Sequence, residues 1–99
     1  MRRRTGREID EEALNLRDTG LTYSAVARSL EIRRAVDAHS AFLRALRQRH
    51  GDERAKLAQR EVARLDELET RIRTRDAADP TKMERRLVAL SKLREPLVD

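Results

Sequence analysis

Cysteine is absent from the 99 residues, which excludes a disulfide framework and any thiolate metal site. Tryptophan is absent too, and Tyr23 and Phe42 are the only aromatics. A core built from this chain must therefore rely on Leu, Ile, Val and Ala, and it is thin. Chains so short of apolar bulk commonly gain burial by pairing with copies of themselves. Proline occurs twice and glycine three times, so breaks in a helical pattern are few and each is informative. No apolar run approaches the roughly 20 residues of a membrane span, and no apolar signal-peptide core follows the N-terminal arginines. The expectation is a cytoplasmic protein of one domain, or of one small domain with a helical appendage.

Charge is plentiful and unevenly placed. Of the net +5, most lies in the first fifty residues, which hold 11 Lys/Arg against 7 Asp/Glu; the rest hold 12 against 11. That asymmetry fits a front that faces nucleic acid and a rear that self-associates.

The chain opens on an arm with Arg2, Arg3 and Arg4, suited to phosphates or a minor groove. Thr5 and Glu8 have the spacing of a capping box and predict a first helix. Ile9, Ala13 and Leu16 share one face of it, with Leu14 flanking, while Asp10, Glu11 and Glu12 are expected on the opposite, solvated side. Gly20 ends this helix. Thr22 caps a short second helix with Val26 and Leu30 on its inner face, and Leu21 and Val26 have the spacing of a hydrophobic staple. A tight turn follows at Glu31-Ile32, where many helix-turn-helix units have glycine because the residue takes a positive φ. Glutamate there costs about 1 kcal/mol relative to glycine, so the turn is expected to bear that strain, to differ slightly in shape, or to give way to a second helix that runs on before bending.

The next helix is expected from Arg33 or Arg34 to about Arg49, with Val36, Phe42 and Leu46 facing inward. Its other side offers Arg33, Arg34, Asp37, Ser40, Arg44 and Arg47, with His39 at the border. Short helix, tight turn and longer basic helix outline a helix-turn-helix, whose second helix reads base edges and holds phosphates. The candidate DNA-binding residues are Arg2, Arg3, Arg4, Arg33, Arg34, His39, Ser40 and Arg44.

His50-Gly51-Asp52 interrupts the pattern, giving a DNA-binding domain at 1–50 and a second region at 51–99. Asp52 is expected to cap a helix reaching Arg75, whose seam runs through Ala55, Ala58, Val62, Leu65 and Ile72 with Leu68 beside it. Asp79 and Pro80 form a strong start for a last helix carrying Met83, Leu87, Leu90, Leu93 and Leu97, which Pro96 stops. Two such helices joined by a short loop make an antiparallel hairpin. Its candidate oligomerisation residues are Val62, Leu65, Leu68, Ile72, Met83, Leu87 and Leu90. The expected fold is thus all-α, a helix-turn-helix domain followed by a helical hairpin for oligomerisation.

The sequence holds no glycine-rich phosphate loop, no Ser/His/Asp order and no metal-ligand cluster. Its carboxylates sit among arginines at helical spacing, as in surface pairing. The reading is a binding protein rather than an enzyme, with no metal and no cofactor.

Three segments carry a family resemblance: Leu21-Thr22-Tyr23-Ser24-Ala25-Val26-Ala27-Arg28-Ser29-Leu30, then Ala41-Phe42-Leu43-Arg44-Ala45-Leu46, then Arg64-Leu65-Asp66-Glu67-Leu68. In this order they resemble small terminase subunits of tailed bacteriophages. The resemblance covers roughly Leu14 to Leu93. It implies a homo-oligomeric ring that recognises double-stranded viral DNA in the host cytoplasm and hands it to the large terminase subunit, which holds the ATPase and nuclease. The chain departs from the family at Glu31 and in ending at Asp99 without a long C-terminal segment. The alternative is a small helix-turn-helix transcriptional regulator that dimerises through its hairpin. A structural adaptor whose helix-turn-helix meets only protein is a third reading.

Overall fold

A computed structural model describes residues 4–97. Among them the fold is all-helical, with α1 at Gly6–Asp18, α2 at Tyr23–Ser29, α3 at Ala35–Arg47, α4 at Gly51–Arg75 and α5 at Pro80–Arg94. A 3₁₀ turn, Glu95–Leu97, follows α5. The chain forms two compact units, 1–57 and 58–99, divided within α4.

The first unit is assembled by its caps. Thr5 Oγ1 accepts from the Glu8 N–H at 3.1 Å, and Thr22 Oγ1 accepts from the Ala25 N–H at 3.1 Å. Each fills an orphan donor at a helix start. Gly20, at φ 106°, takes the left-handed conformation that ends α1. Many of the buried residues are alanines, Ala13 on α1, Ala27 on α2 and Ala38, Ala41 and Ala45 on α3, set around the larger Leu14, Tyr23, Val26, Phe42 and Leu46. The three helices pack on one another. Alanine at so many buried positions lets their backbones approach closely, which suits a chain with little apolar bulk.

The turn between α2 and α3 is a Schellman motif. The Ile32 N–H donates to the Ala27 carbonyl at 2.8 Å, and the Glu31 N–H donates to the Arg28 carbonyl at 3.3 Å. Glu31 sits at φ 57°, the left-handed residue that this motif requires. The positive φ that glycine usually supplies at this position is present here in a glutamate. Short helix, turn and longer helix are compatible with a helix-turn-helix.

Several expectations need correction. Val36 is 56% exposed, because it precedes the buried Ala38 by two residues, roughly 200° around the helix. The regular helix begins at Ala35 and ends at Arg47, leaving Arg33 and Arg34 in the turn before it. On α1, Leu14 is central rather than flanking, and Arg17 is buried beside it. Asp10 and Glu11 are not on a free solvated side: Arg44 pairs with Asp10 at 3.0 Å, and Arg49 pairs with Glu11. Both pairs join α1 to residues of α3 or just after it. The fourth helix starts at Gly51, so Asp52 lies in its first turn instead of capping it. Along α4, Glu61 is buried while Val62 is 39% exposed and Ala55 is exposed. The buried row steps by four from Leu57 through Glu61 to Leu65; it lies one residue before the expected seam positions 58 and 62 and coincides with the seam at Leu65 and Ile72. Arg64 stands 2.9 Å from the Glu61 carboxylate.

In the second unit, Leu65 and Ile72 of α4 and Leu90 of α5 form a core flanked by Leu68, Met83, Leu87, Leu93 and Leu97. Asp79 accepts from the Lys82 N–H at 3.1 Å, with Pro80 at the first helical position, as expected. Arg94 bridges from α5 to Asp66 at 2.7 Å and Glu69 at 2.6 Å on α4. Hydrogen bonds from Arg94 and then Arg73 hold the Glu69 carboxyl below the usual range. Arg86 reaches the buried Asp76 at 3.2 Å. The two helices are antiparallel, with apolar packing between them and ion pairs along the sides.

The strained turn gives a stability prediction. Glu31→Gly should stabilise the chain by about 1 kcal/mol and raise its thermal midpoint by roughly 4–8 °C. A melting curve checks this; an unchanged or lower midpoint would show that Glu31 makes contacts outweighing its backbone strain.

Candidate nucleic-acid interface

Burial of Ala38, Ala41, Phe42 and Ala45 on one face of α3 fixes which residues look outward. Stepping by four, three and four, Val36, Ser40, Leu43 and Arg47 occupy the opposite face. Val36 and Arg47 are exposed, and Ser40 and Leu43 are half-buried. Arg33 and Arg34, both exposed, stand in the turn that leads into this face.

The candidate DNA-binding residues fare differently. Arg33 is exposed and has no ion-pair partner among the described residues. Arg34 pairs with Asp37, Nε to Oδ2 at 3.1 Å and Nη2 to Oδ1 at 3.3 Å. Ser40 Oγ donates to the Val36 carbonyl at 3.1 Å, leaving its oxygen as an acceptor. His39 is half-buried and packs edge-on against Tyr23, with ring centroids 4.9 Å apart. Its ring is thereby a packing element beneath the outer face. Arg44 is held side-on by Asp10, with both hydrogen bonds at 3.0 Å. The hydrogen bond to Asp10 raises the Arg44 pKa above its ordinary value. Arg4 pairs with Glu12 on α1. Arg2 and Arg3 lie outside the described residues.

Two cations outside the candidate set complete the surface. Arg47, at the C-terminal end of the outer face, and Arg28, in the last turn of α2, are exposed without ion-pair partners among the described residues. Helical phase alone marks Arg47: it lies nine residues after Ala38, roughly half a turn from the buried face. Arg47 and Arg44 also border an open cleft of about 510 Å³ between α1 and α3, together with Arg7, Asp10 and Glu11.

Arg17 was not expected to matter. It is buried, donates to the Leu21 carbonyl at 2.9 Å and places its guanidinium 4.1 Å from the centre of the Tyr23 ring. Phe42 meets the same ring edge-on at 5.9 Å. Tyr23 thus joins the end of α1, the start of α2 and the inner face of α3.

Within the hairpin unit, Leu65, Ile72 and Leu90 are buried by the chain's own packing. Of the residues expected at an oligomer contact, Val62 is exposed and Leu68, Met83 and Leu87 are half-buried. Val88, 53% exposed, joins Met83 and Leu87 along an open groove of about 420 Å³ on α5. Among the described residues no group of three or more His, Cys, Asp or Glu is placed to hold a metal ion. No described helix is long and apolar enough to cross a membrane. Compared with known proteins, the chain matches no family model, no curated protein and no solved structure.

The Asp10–Arg44 pair should act between helices rather than on a ligand alone. In a double-mutant cycle with Asp10→Asn and Arg44→Gln, read by chemical denaturation, the expected coupling is about 0.5 kcal/mol for this exposed pair. Zero coupling would mean that the pair does not hold α1 on α3.

Proposed function

We propose that this protein recognises double-stranded DNA with the outer face of α3 and the turn before it. The observation that carries the reading is the pair of exposed cations Arg33 and Arg47, without ion-pair partners among the described residues and placed at the two ends of a face that also presents Val36 and Ser40. A helix of this diameter fits the major groove. Its cations meet phosphates, its hydroxyl meets a base edge, and an exposed methyl surface suits the thymine methyl group. Arg28 and Arg7 extend positive charge beyond α3, for the backbone of the same duplex.

The role proposed for this binding is initiation of viral genome packaging, as in small terminase subunits. The large terminase subunit is then the partner that supplies ATP hydrolysis and cleavage, and this chain contributes no catalysis. One α3 face offers few contacts, so several copies on one DNA would supply affinity by multivalency. Val62, Met83, Leu87 and Val88 remain for contact between copies, in a ring closed by a repeated heterologous interface. A second reading has its own support. With Leu65, Ile72 and Leu90 enclosed in their own hairpin, the apolar surface left over suits a dimer as well, and a dimeric transcriptional regulator needs no more. Native mass separates them: a closed ring supports the packaging role, a dimer the regulator.

The DNA reading is tested by fluorescence anisotropy with duplex DNA across a salt series. Log affinity should fall with log salt at a slope of about −0.9 for each phosphate contact. Arg33→Ala with Arg47→Ala should weaken binding by about 1–3 kcal/mol and flatten that slope. Wild-type affinity and slope in the double variant would remove α3 from the DNA interface.

A further inference from the structure

Arg34 is the residue before α3 and Asp37 lies in its first turn. Their side chains are paired in a particular way. The Asp37 carboxylate grips the side-on edge of the guanidinium, taking one hydrogen from Nε and one from Nη2 at 3.1 and 3.3 Å. The Asp37 N–H also donates to the Arg34 carbonyl at 3.1 Å, so backbone and side chain are tied within the same turn. A guanidinium carries five N–H donors in a rigid plane. The pairing leaves three, of which two, one on each Nη, form the end-on edge. That edge matches the two acceptors O6 and N7 of guanine in the major groove. Arg34 has no other polar contact among the described residues, and its side chain is 69% exposed.

We propose that Asp37 is a positioning residue: by holding Arg34 side-on, it presents the free edge of that arginine to a guanine. This rests on the reading that α3 faces duplex DNA. Arg34 stands at the N-terminal end of the helix, the end that meets base edges when a helix-turn-helix docks. Without a partner the side chain of an exposed arginine wanders, and it meets any phosphate as readily as a base. Asp37 restrains it. The carboxylate also repels phosphates itself, so it opposes binding at unselected sequences. Both effects act in one direction, towards discrimination rather than affinity. The pair Arg44 and Asp10 has the same side-on geometry, but Asp10 belongs to α1 and the site is ten residues further along the chain. Its position fits a phosphate contact instead.

The experiment is selection from a randomised duplex library by the full chain, followed by anisotropy on the selected duplex and a scrambled duplex of the same composition. Wild type should select a guanine at one position, and 7-deazaguanine there, which lacks the N7 acceptor, should weaken it. Arg34→Ala and Asp37→Asn should each lose the guanine preference, with the ratio of selected to scrambled affinity falling roughly tenfold. Asp37→Asn should bind the scrambled duplex at least as tightly as wild type, a gain that damage to the fold does not produce. If Asp37→Asn keeps the wild-type ratio, the proposal fails, while loss of binding in Arg33→Ala with Arg47→Ala would still uphold the DNA reading. A uniform loss on both duplexes with a lowered melting temperature would assign Asp37 a structural role and overturn the proposal. Loss of a cytosine preference in place of guanine would make Asp37 a base reader itself, which also overturns it. No binding to any duplex would end both readings.

Discussion

Tyr23 is the residue on which the arrangement of the first three helices depends. It is one of two aromatics in the chain, and it touches the other, Phe42, edge-on. The Arg17 guanidinium covers its face and His39 meets its edge. Aromatic pairs and cation–π contacts each contribute about 0.5–1.5 kcal/mol beyond area burial. In a core otherwise made of alanines and a few larger aliphatics, such directional contacts decide how α2 is turned against α1 and α3. The burial of Arg17 is tolerated because the Leu21 carbonyl accepts from it and an aromatic face lies beneath it. A basic residue is thereby withdrawn from solvent to build the scaffold.

The orientation of α3 follows from that scaffold. Ala38, Ala41, Phe42 and Ala45 are drawn inward, which leaves Val36, Ser40 and Arg47 outward by helical phase. The Schellman turn at Glu31 then brings Arg33 and Arg34 to the start of the same face. Acidic residues divide the arginines into kinds. Arg44 and Arg49 are engaged by α1 carboxylates, Arg34 is restrained within its own turn, and Arg33 and Arg47 stand without partners among the described residues. Net charge alone does not distinguish them.

What the sequence revealed was local chemistry. Thr5, Thr22 and the Asp79-Pro80 pair marked helix starts because a cap needs only its own next few residues. The breaks at Gly20 and at residues 76–79 were legible for the same reason; at Glu31 the sequence marked the place of the turn and left its backbone conformation open. Tertiary choices were not legible. Val36 looked like core because it is apolar, although its phase relative to Phe42 already placed it elsewhere. Glu61 and Val62 exchanged their expected places, since a polar residue with an arginine three positions away can be buried where spacing asks for a hydrophobe. Asp10, Glu11 and Arg44 look like free surface charges until the crossing of α1 over α3 makes them partners. Of the candidate site residues, Arg33 and Arg34 stand exposed beside the turn, as their place in the sequence suggests, whereas His39 and Arg44 are engaged in packing and pairing.

The central claim is that the outward face of α3 meets DNA, and the absence of native cysteine allows a direct measurement. Single cysteines introduced as Val36→Cys and as Thr74→Cys, an exposed position on α4, are alkylated with and without saturating duplex DNA, and the rates are compared. The account predicts that DNA slows alkylation at position 36 by roughly tenfold or more, as expected for a thiol enclosed at a protein–DNA interface, and leaves position 74 unchanged. Equal rates at position 36 with and without bound DNA would contradict it.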